Sequence, residues 1–253
     1  LKFAWRDLRG GLKGFRIFLA CLTLGVTAIA GVGSLGSAIR AGIDNNARNL
    51  LGADVEVRVS SRAASEAQVT WLANNSQGLT LVRQLRTMAR VPTDYRQGDH
   101  TKSAGNQTLV ELKSVTASGA AAYPLYGEVA LDPVMTLDDA LANKDGMRGA
   151  VAEASLLARL GLQVGDRLTV GTEKLELRAI LVTEPDRVSG TFALGPRLMI
   201  NNQTLEAAGL IQQGSLVRHN YRLRLAPEAD IKQWRDRIEA AWPDVAWRVG
   251  DVK

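Results

Sequence analysis

The sequence predicts an α+β protein with one N-terminal transmembrane helix and a stalk, followed by a split β-α-β layer that carries an inserted β-rich subdomain. Three observations support this prediction. An uncharged apolar run near the N-terminus follows a basic stretch. Two β-α-β patterns lie at the two ends of the remaining chain. Short strands with Gly and Asp turns fill the residues between those patterns.

The apolar run from Ile17 to Ile39 contains no charged residue. In a helix it spans about 35 Å, which is enough to cross a hydrocarbon core of about 30 Å. More Lys and Arg precede the run than follow it, so the positive-inside rule places the N-terminus in the cytoplasm. We therefore predict a bacterial inner-membrane protein with a transmembrane helix at 17–39 and residues 40–253 in the periplasm.

The basic stretch at 1–16 has apolar and basic residues at helical spacing, which predicts a cytoplasmic amphipathic helix. Its predicted cytoplasmic interface consists of Trp5, Arg6, Arg9, Lys13 and Arg16. The stretch has a net charge of +4, which leaves +1 of the total +5 for residues 17–253. A domain that binds nucleic acid needs a broader basic face, so we expect no nucleic-acid partner.

Small residues recur at four-residue intervals in the predicted transmembrane helix. They form two sets, namely Thr23, Thr27 and Gly31, and Ala30, Ser34 and Ala38. Such faces let membrane helices approach closely, so we predict packing against further membrane helices. Because none of those helices follows here and the chain begins with Leu1, we expect a fragment of a longer polypeptide.

Two other interpretations of the apolar run stay open at this point. A basic start and Ala28-Ile29-Ala30 also fit a cleaved signal peptide. The glycines of Gly31–Gly36 match G-x-G-x-x-G, and Glu56 follows twenty residues later, as in a nicotinamide-dinucleotide-binding enzyme. The apolar run is, however, about twice as long as a usual first strand.

After the membrane, Ile43, Ala47 and Leu50 continue one apolar helical face that ends at Gly52, which predicts a periplasmic stalk at 40–52. The split layer is predicted at 53–115 plus 220–253, and the inserted β-rich subdomain at 116–219. The predicted elements of the split layer are strands at 54–59, 79–91, 108–115, 221–225 and 245–249, a helix capped by Ser65 and Gln68, and a helix at 231–241. Those of the insertion are a helix at 153–160 and strands at 168–170, 175–183 and 192–200.

No catalytic, cofactor-binding or metal-ligating residue emerges from the sequence. The two histidines, His100 and His219, lack partners at a metal-ligand spacing, and no H-E-x-x-H, G-x-S-x-G or P-loop motif occurs. Asp138 and Asp139 follow Thr136, which indicates helix capping rather than a catalytic pair. A separate group of tryptophans, Trp234, Trp242 and Trp247, is typical of a core and its rim, although an exposed pair could contact a ligand.

Three stretches resemble the permease family that includes MacB, LolC/LolE and FtsX, and most of all its YbbP-like members. They are Trp5–Gly10, Asn49–Val57 and Leu160–Val170, the last with the family-motif residues Gly161, Gly165 and Asp166. The resemblance implies an ABC transporter permease subunit with a split porter-like half and an inserted Sabre-like half.

The resemblance also implies partners. ATP and Mg would bind in a separate cytoplasmic ABC ATPase, and this chain itself would not be an enzyme. Other expected partners are further membrane helices of the same permease or a second copy, and a periplasmic cargo or accessory protein. The implied cargo is hydrophobic or lipid-like. An alternative function of a different class is that of a membrane-tethered periplasmic interaction module without an ATPase.

Overall fold

A computed structural model of the chain describes residues 16–36, 52–59, 62–93, 105–119, 122–186 and 195–251. They belong to two units, Leu1–Asn46 and Ala47–Lys253. The first unit contributes one helix, and the second holds a mixed α+β domain. The predicted α+β class with a separate apolar N-terminal helix is therefore confirmed. The amphipathic helix predicted at 1–16 and the stalk at 40–52 lie outside the described residues, except for Arg16 and Gly52.

Helix α1 (Arg16–Gly36) is, among the described residues, the one helix long and apolar enough to cross a membrane. Its 21 residues span about 31 Å. Large apolar side chains such as Leu24 and Ile29 are more than three-quarters exposed within the chain, at 76% and 77%. Such a surface needs lipid or other helices around it.

The dinucleotide-binding interpretation of Gly31–Gly36 is wrong. These residues lie inside α1 as continuous helix, whereas the fingerprint needs a strand, a tight turn and then a helix start. Gly31, Gly33 and Gly36 are instead part of a helix that is rich in small residues.

The second unit contains eleven strands and five helices among the described residues. The strands are β1 (Val55–Val59), β2 (Gly78–Arg90), β3 (Gln107–Val115), β4 (Ala130–Asp132), β5 (Asn143–Lys144), β6 (Met147–Ala152), β7 (Arg167–Val170), β8 (Glu173–Thr183), β9 (Arg197–Asn201), β10 (Arg218–Arg224) and β11 (Trp247–Asp251). The helices are α2 (Glu66–Asn74), α3 (Leu137–Leu141), α4 (Ala154–Leu160), α5 (Asn202–Ala207) and α6 (Ile231–Ala241).

All eleven strands join one sheet. Its main path is β11-β1-β10-β2-β3-β9-β6-β8-β4, with β5 beside β6 and β7 bridging β2 and β8. The pairs β3–β9 and β6–β8 are parallel, and the other pairs are antiparallel. Strand β3, from the predicted split layer, thus pairs with β9, from the predicted insertion. Strand β2 of the split layer also pairs with β7 of the insertion. The predicted boundaries between the two halves stay a prediction.

The helices α2 and α6 cover one face of β1 and β10. Their shared core includes Val57, Leu72, Tyr221 and Trp234. Trp234 lies 5.8 Å from Trp71 between ring centroids, and its Nε1 donates to the Asn75 carbonyl over 2.9 Å. Trp242 and Trp247 pack partly buried against the same core, which agrees with their interpretation as core and rim.

Local sequence signals place several helix ends correctly. Ser65 and Gln68 form both hydrogen bonds of the predicted capping box at α2. The Thr136 side chain accepts a hydrogen bond from the Asp139 N–H at the start of α3, so the two adjacent aspartates belong to a helix start. Gly161 ends α4 in the left-handed conformation at φ 67°, which a glycine adopts without strain.

Candidate functional site

Lys113 lies fully buried on β3. Leu112 and Val110 of the same strand face the core under α4. Alternation along the strand turns Lys113 to the opposite face of the sheet. There its Nζ lies 2.5 Å from Glu184 Oε1, 2.7 Å from Asp186 Oδ2 and 2.8 Å from the Tyr123 hydroxyl. A buried ammonium is tolerated because each of its donors has an acceptor.

Two arginines extend these contacts into a chain of buried charges. Arg222 on β10 contacts Asp186 through Nη2 at 2.5 Å and Glu56 through Nε at 3.0 Å. Glu56 is its register partner on β1. Arg197 on β9 binds Glu184 through Nε at 3.1 Å. We call the group formed by Glu56, Lys113, Glu184, Asp186, Arg197 and Arg222 the buried ion-pair network.

The alternating charges of β1 and β10 are therefore not all exposed to solvent. The sequence pattern predicted a half-buried strand at 54–59, yet Glu56 is only 8% exposed and its partner Arg222 only 4%. Each is buried because the other neutralises it. Sequence alternation identifies the polar face of a strand but does not reveal that another segment covers it.

The charges of the network shift the pKa values of the groups that lie in or beside it. Burial alone would raise the pKa of Asp186, but the charges of Lys113 and Arg222 outweigh it and hold that pKa well below its usual value. Burial lowers the pKa of Lys113, although Asp186 and Glu184 oppose that shift. Burial and the same two carboxylates raise the pKa of Tyr123 well above its usual value, so Tyr123 stays protonated and donates to Asp186.

The segment that enters the domain packs directly on this network. Gly52 has a φ of 66°, and a Cβ atom there would lie 3.5 Å from Arg222 Nη1 and 3.8 Å from Asp186 Cβ. Two residues later, Asp54 Oδ2 accepts hydrogen bonds from the Tyr126 hydroxyl at 2.7 Å and from the Leu225 N–H at 2.9 Å. The chain is therefore held on several sides where it joins the sheet.

A cavity of about 730 Å³ is lined by residues of β1, β2, β3, β9, β10 and β11 and of the segment before β10. We call it the arginine groove. It contains five arginines and a single carboxylate, and the remaining lining is largely apolar. Its charged and titratable lining residues are Arg58, Arg86, Glu111, Arg197, Arg218, His219 and Arg248. Burial and the nearby charge of Arg83 lower the pKa of His219, so the positive charge of the groove comes from its arginines.

The residues predicted for membrane packing lie in α1 where they are described. Thr23, Thr27, Ala30, Gly31 and Ser34 belong to that helix, and Ala38 lies outside the described residues. The Thr23 hydroxyl donates to the Leu19 carbonyl over 2.9 Å. Their role in helix packing stays a prediction. Of the predicted cytoplasmic interface, Arg16 begins α1, and the other four residues lie outside the described part of the chain.

The family-motif residues form the turn that leads into β7. Gly165 has a φ of 95°, and its N–H donates to the Leu177 carbonyl over 2.6 Å. The side chain of Asp166 accepts from the Gln163 N–H at 2.8 Å, while its own carbonyl accepts from the Leu177 N–H at 2.9 Å. These contacts anchor the turn to β8, which is a structural role.

The described residues contain no group of three or more His, Cys, Asp or Glu side chains placed to hold a metal ion. In the buried ion-pair network each carboxylate already has a cationic partner, so the arrangement suits mechanical cohesion rather than proton transfer. Sequence reasoning did not find this network or the arginine groove. The available signal was a lysine, Lys113, between the apolar residues Leu112 and Val115 near the end of a strand.

Comparisons with known proteins agree with the resemblance noted above. Residues 17–241 match the family model of the MacB-like periplasmic core domain. The ABC transporter permease YbbP of Escherichia coli (strain K12) is 27% identical over 223 residues, which is 87% of this chain and 24% of YbbP. This chain thus spans about a quarter of the length of that relative.

Two solved structures align with this chain, and the fold of the first is similar. The periplasmic region of MacB from Actinobacillus actinomycetemcomitans aligns with a TM-score of 0.51 at 9% identity, covering 83% of this chain and 94% of that one. The extracellular domain of the transporter YknZ from Gram-positive bacteria aligns with a TM-score of 0.47 at 12% identity, covering 78% and 99%. The apolar helix and the periplasmic domain fit an inner-membrane protein with a periplasmic segment. The chain belongs to the MacB-like periplasmic core domain family of ABC transporter permeases.

Proposed function

We propose that this chain forms part of a permease subunit in which ATP hydrolysis by a separate cytoplasmic ATPase moves the periplasmic domain, and that the cargo is hydrophobic or lipid-like. ATP and Mg would bind in that partner. Family membership supports a transport role, and the coupling to an ATPase is the proposed step.

The observation that carries this proposal is the attachment of the entry segment at Gly52 and Asp54. A loop that transmits movement needs a rigid joint, because a flexible joint absorbs displacement. Here Asp54 accepts one hydrogen bond from Tyr126 and one from the β10 side of the sheet. Gly52 packs against Arg222 and Asp186 of the buried ion-pair network. Displacement applied at Gly52 would therefore reach β10 and the segment after β8 together.

The test uses the complete permease with its ATPase in a nanodisc. A fluorophore at Val134, which is 97% exposed, and a quencher in the lipid head groups would report the height of the domain above the membrane. We expect ATP, but not ADP, to change the quenching. A permease that binds no ATPase, or whose domain stays still on ATP hydrolysis, would overturn the proposal and favour the tethered interaction module.

A matched pair of variants tests the joint itself. Asp54→Asn weakens the acceptor for both hydrogen bonds and keeps the size of the side chain. Asp138→Asn makes the same change at an exposed position on α3. We expect ATP hydrolysis to continue in both variants, while the ATP-dependent movement decreases only in Asp54→Asn. Equal movement in the two variants would show that Asp54 does not carry the coupling.

A further inference from the structure

Three exposed arginines form a diagonal row across three neighbouring strands. Arg58 on β1 is the register partner of Asn220 on β10, and Arg218 lies two residues before Asn220 on the same face of that strand. Arg218 is in turn the partner of Gln84 on β2, and Arg86 lies two residues after Gln84. All three arginines therefore point to one face of the sheet. We call Arg58, Arg218 and Arg86 the arginine diagonal.

The arginine diagonal lies on the face of the sheet opposite to α4 and α6. Leu85 on β2 packs against the core of α4, and Tyr221 on β10 belongs to the core of α6. Arg86 is one residue from Leu85 and Arg218 is three residues from Tyr221, and an odd separation along a strand turns a side chain to the opposite face. Arg86 and Arg218 are exposed, and the side chain of Arg58 is 44% exposed. A binding partner can therefore reach all three.

The described residues leave most of this positive charge without a counter-charge. Among them, Arg86 and Arg218 form no ion pair. Arg58 contacts Glu56 at 3.2 Å, but Glu56 already belongs to the buried ion-pair network. Glu111 is the register partner of Arg86, yet its carboxylate lies 3.5 Å from an arginine of that network. Like charges on neighbouring strands repel each other, and bound anions would remove that cost.

The spacing of the arginine diagonal matches that of an extended peptide. Diagonal neighbours on adjacent strands are about 7–8 Å apart, and alternate side chains of an extended chain are about 7 Å apart on one side. Acidic residues at alternate positions would therefore meet Arg58, Arg218 and Arg86 in turn, and guanidinium groups bind carboxylates by paired hydrogen bonds. Beyond Arg86, the register partners Met88 and Leu109 share the same face and are 42% and 40% exposed.

We propose that the arginine diagonal binds an extended acidic segment of a periplasmic partner protein, with carboxylates on the three arginines and an apolar side chain on Met88 and Leu109. Arg248, the register partner of Arg58, adds a positive charge at the first end of the row. The row leads along the strands away from Gly52, where the chain enters the domain, which favours a soluble protein over lipid head groups. The inference goes beyond the proposed function and does not depend on it, because docking needs neither ATP nor cargo.

The experiment is fluorescence anisotropy with the full chain in a nanodisc of neutral lipid. The first probe is a labelled peptide in which Glu and Thr alternate. The second has the same composition, but its Glu residues are adjacent, so they point to opposite sides of an extended chain. We expect the alternating peptide to bind about three- to tenfold more tightly. Equal affinities would indicate unspecific attraction of charge and overturn the proposal, as would the absence of saturable binding.

Variants provide the second arm. The double substitution Arg86→Gln/Arg218→Gln removes two exposed arginines of the diagonal, so the fold should persist. The matched control Arg159→Gln/Lys232→Gln removes two exposed cations on α4 and α6, which pack on the other face. We expect the Kd of the alternating peptide to rise about tenfold in the first variant and to stay unchanged in the control. Equal weakening in the two variants would overturn the proposal.

A photo-crosslink locates the peptide without any substitution in the protein. A benzophenone amino acid added to the end of the alternating peptide should label Met88 or Leu109, as mapped by mass spectrometry. Labelling of α4 or α6 instead would place the peptide on the other face of the sheet and overturn the proposal.

Two competitors distinguish other sources of negative charge. At equal total charge, inorganic phosphate and vesicles of phosphatidylglycerol should displace the labelled peptide less than an unlabelled copy of the peptide does. Equal displacement by phosphate would indicate a site for a small anion. Vesicle binding that is lost in Arg86→Gln/Arg218→Gln, without peptide binding, would assign the surface to the membrane. Either result would overturn the assignment to a protein partner.

Discussion

Replacing Lys113 with methionine removes the central cation of the buried ion-pair network and keeps the length of the side chain. The side chains of Lys113, Glu184 and Asp186 are 0%, 1% and 3% exposed. Water therefore cannot replace the ammonium beside either carboxylate. Removal of one partner from a buried ion pair costs on the order of 3–5 kcal/mol. Because Glu184 retains Arg197 and Asp186 retains Arg222, we expect a loss near 3 kcal/mol, at the lower end of that range.

The assay is thermal unfolding of the chain in a mild detergent, followed by circular dichroism. For a domain of this size, about 1 kcal/mol corresponds to about 2–4 °C in Tm, so Lys113→Met should lower Tm by about 6–12 °C. The matched control is Lys144→Met. Lys144 lies 3.9 Å from Asp139, and the two side chains are 54% and 63% exposed. An exposed pair of this kind should contribute less than about 0.5 kcal/mol.

A double variant shows whether uncompensated charge is the cause. Adding Glu184→Gln to Lys113→Met removes one of the two carboxylates left without the ammonium. The combined loss should therefore be smaller than the sum of the two single losses, by about 1–3 kcal/mol. Additive losses, or a change in Tm no larger than that of Lys144→Met, would refute the reasoning.

Three further predictions concern stability. The pKa of Asp186 is below that of an unfolded aspartate (about 3.9). The ionised Asp186 therefore contributes fully to the free energy of unfolding above about pH 3.9, and this contribution is lost as the pH falls further. The difference in unfolding free energy between the native chain and Asp186→Asn should shrink in acid titrations below about pH 4, and a constant difference would contradict this. Gly149→Ala would place a Cβ atom 1.9 Å from the Ala140 carbonyl oxygen and should lower the free energy of unfolding, measured in urea, by about 1–3 kcal/mol or more. The control is Gly78→Ala, whose Cβ atom would lie 3.6 Å from its nearest neighbour and should lower stability less. Ser65→Ala removes the hydrogen bond that the Ser65 hydroxyl accepts from the Gln68 N–H at the start of α2. It should lower the free energy of unfolding by about 1 kcal/mol in the same assay, and an unchanged value would contradict a stabilising cap.

Local patterns of the sequence predicted the local parts of the fold well. The uncharged run predicted α1, and alternation of apolar residues predicted β1, β2 and β3 within one residue. The strand predicted at 221–225 begins three residues later than β10. Capping by Ser65 and the stop at Gly161 depend on neighbouring residues, so they were visible in the sequence. The strands at 130–132 and 147–152 and the helix α5 were not predicted, because short elements carry too few residues for a clear period.

The candidate site could not be predicted, because it depends on contacts between distant residues. Glu111 and Arg197 are register partners on the parallel strands β3 and β9, which are far apart in the sequence. Arg222 and Asp186 meet only after β10 and the segment following β8 reach the same face of the sheet. In the sequence, a charged residue in a strand indicates a solvent-facing position. That indication is correct for Arg58, which is exposed, and incorrect for Lys113.

The placement of ionic partners on different halves of the sheet constrains how hybrid permeases can be built. Arg222 and Lys113 belong to the segments predicted as the split layer, whereas Asp186 and Glu184 belong to the predicted insertion. Transplanting residues 116–219 from a homologue would bring in foreign partners for two buried cations of the host. A donor that lacks acidic residues at those two positions would leave the buried cations of the host without ionic partners. Donors should therefore be chosen by matched charge at these positions rather than by percentage identity.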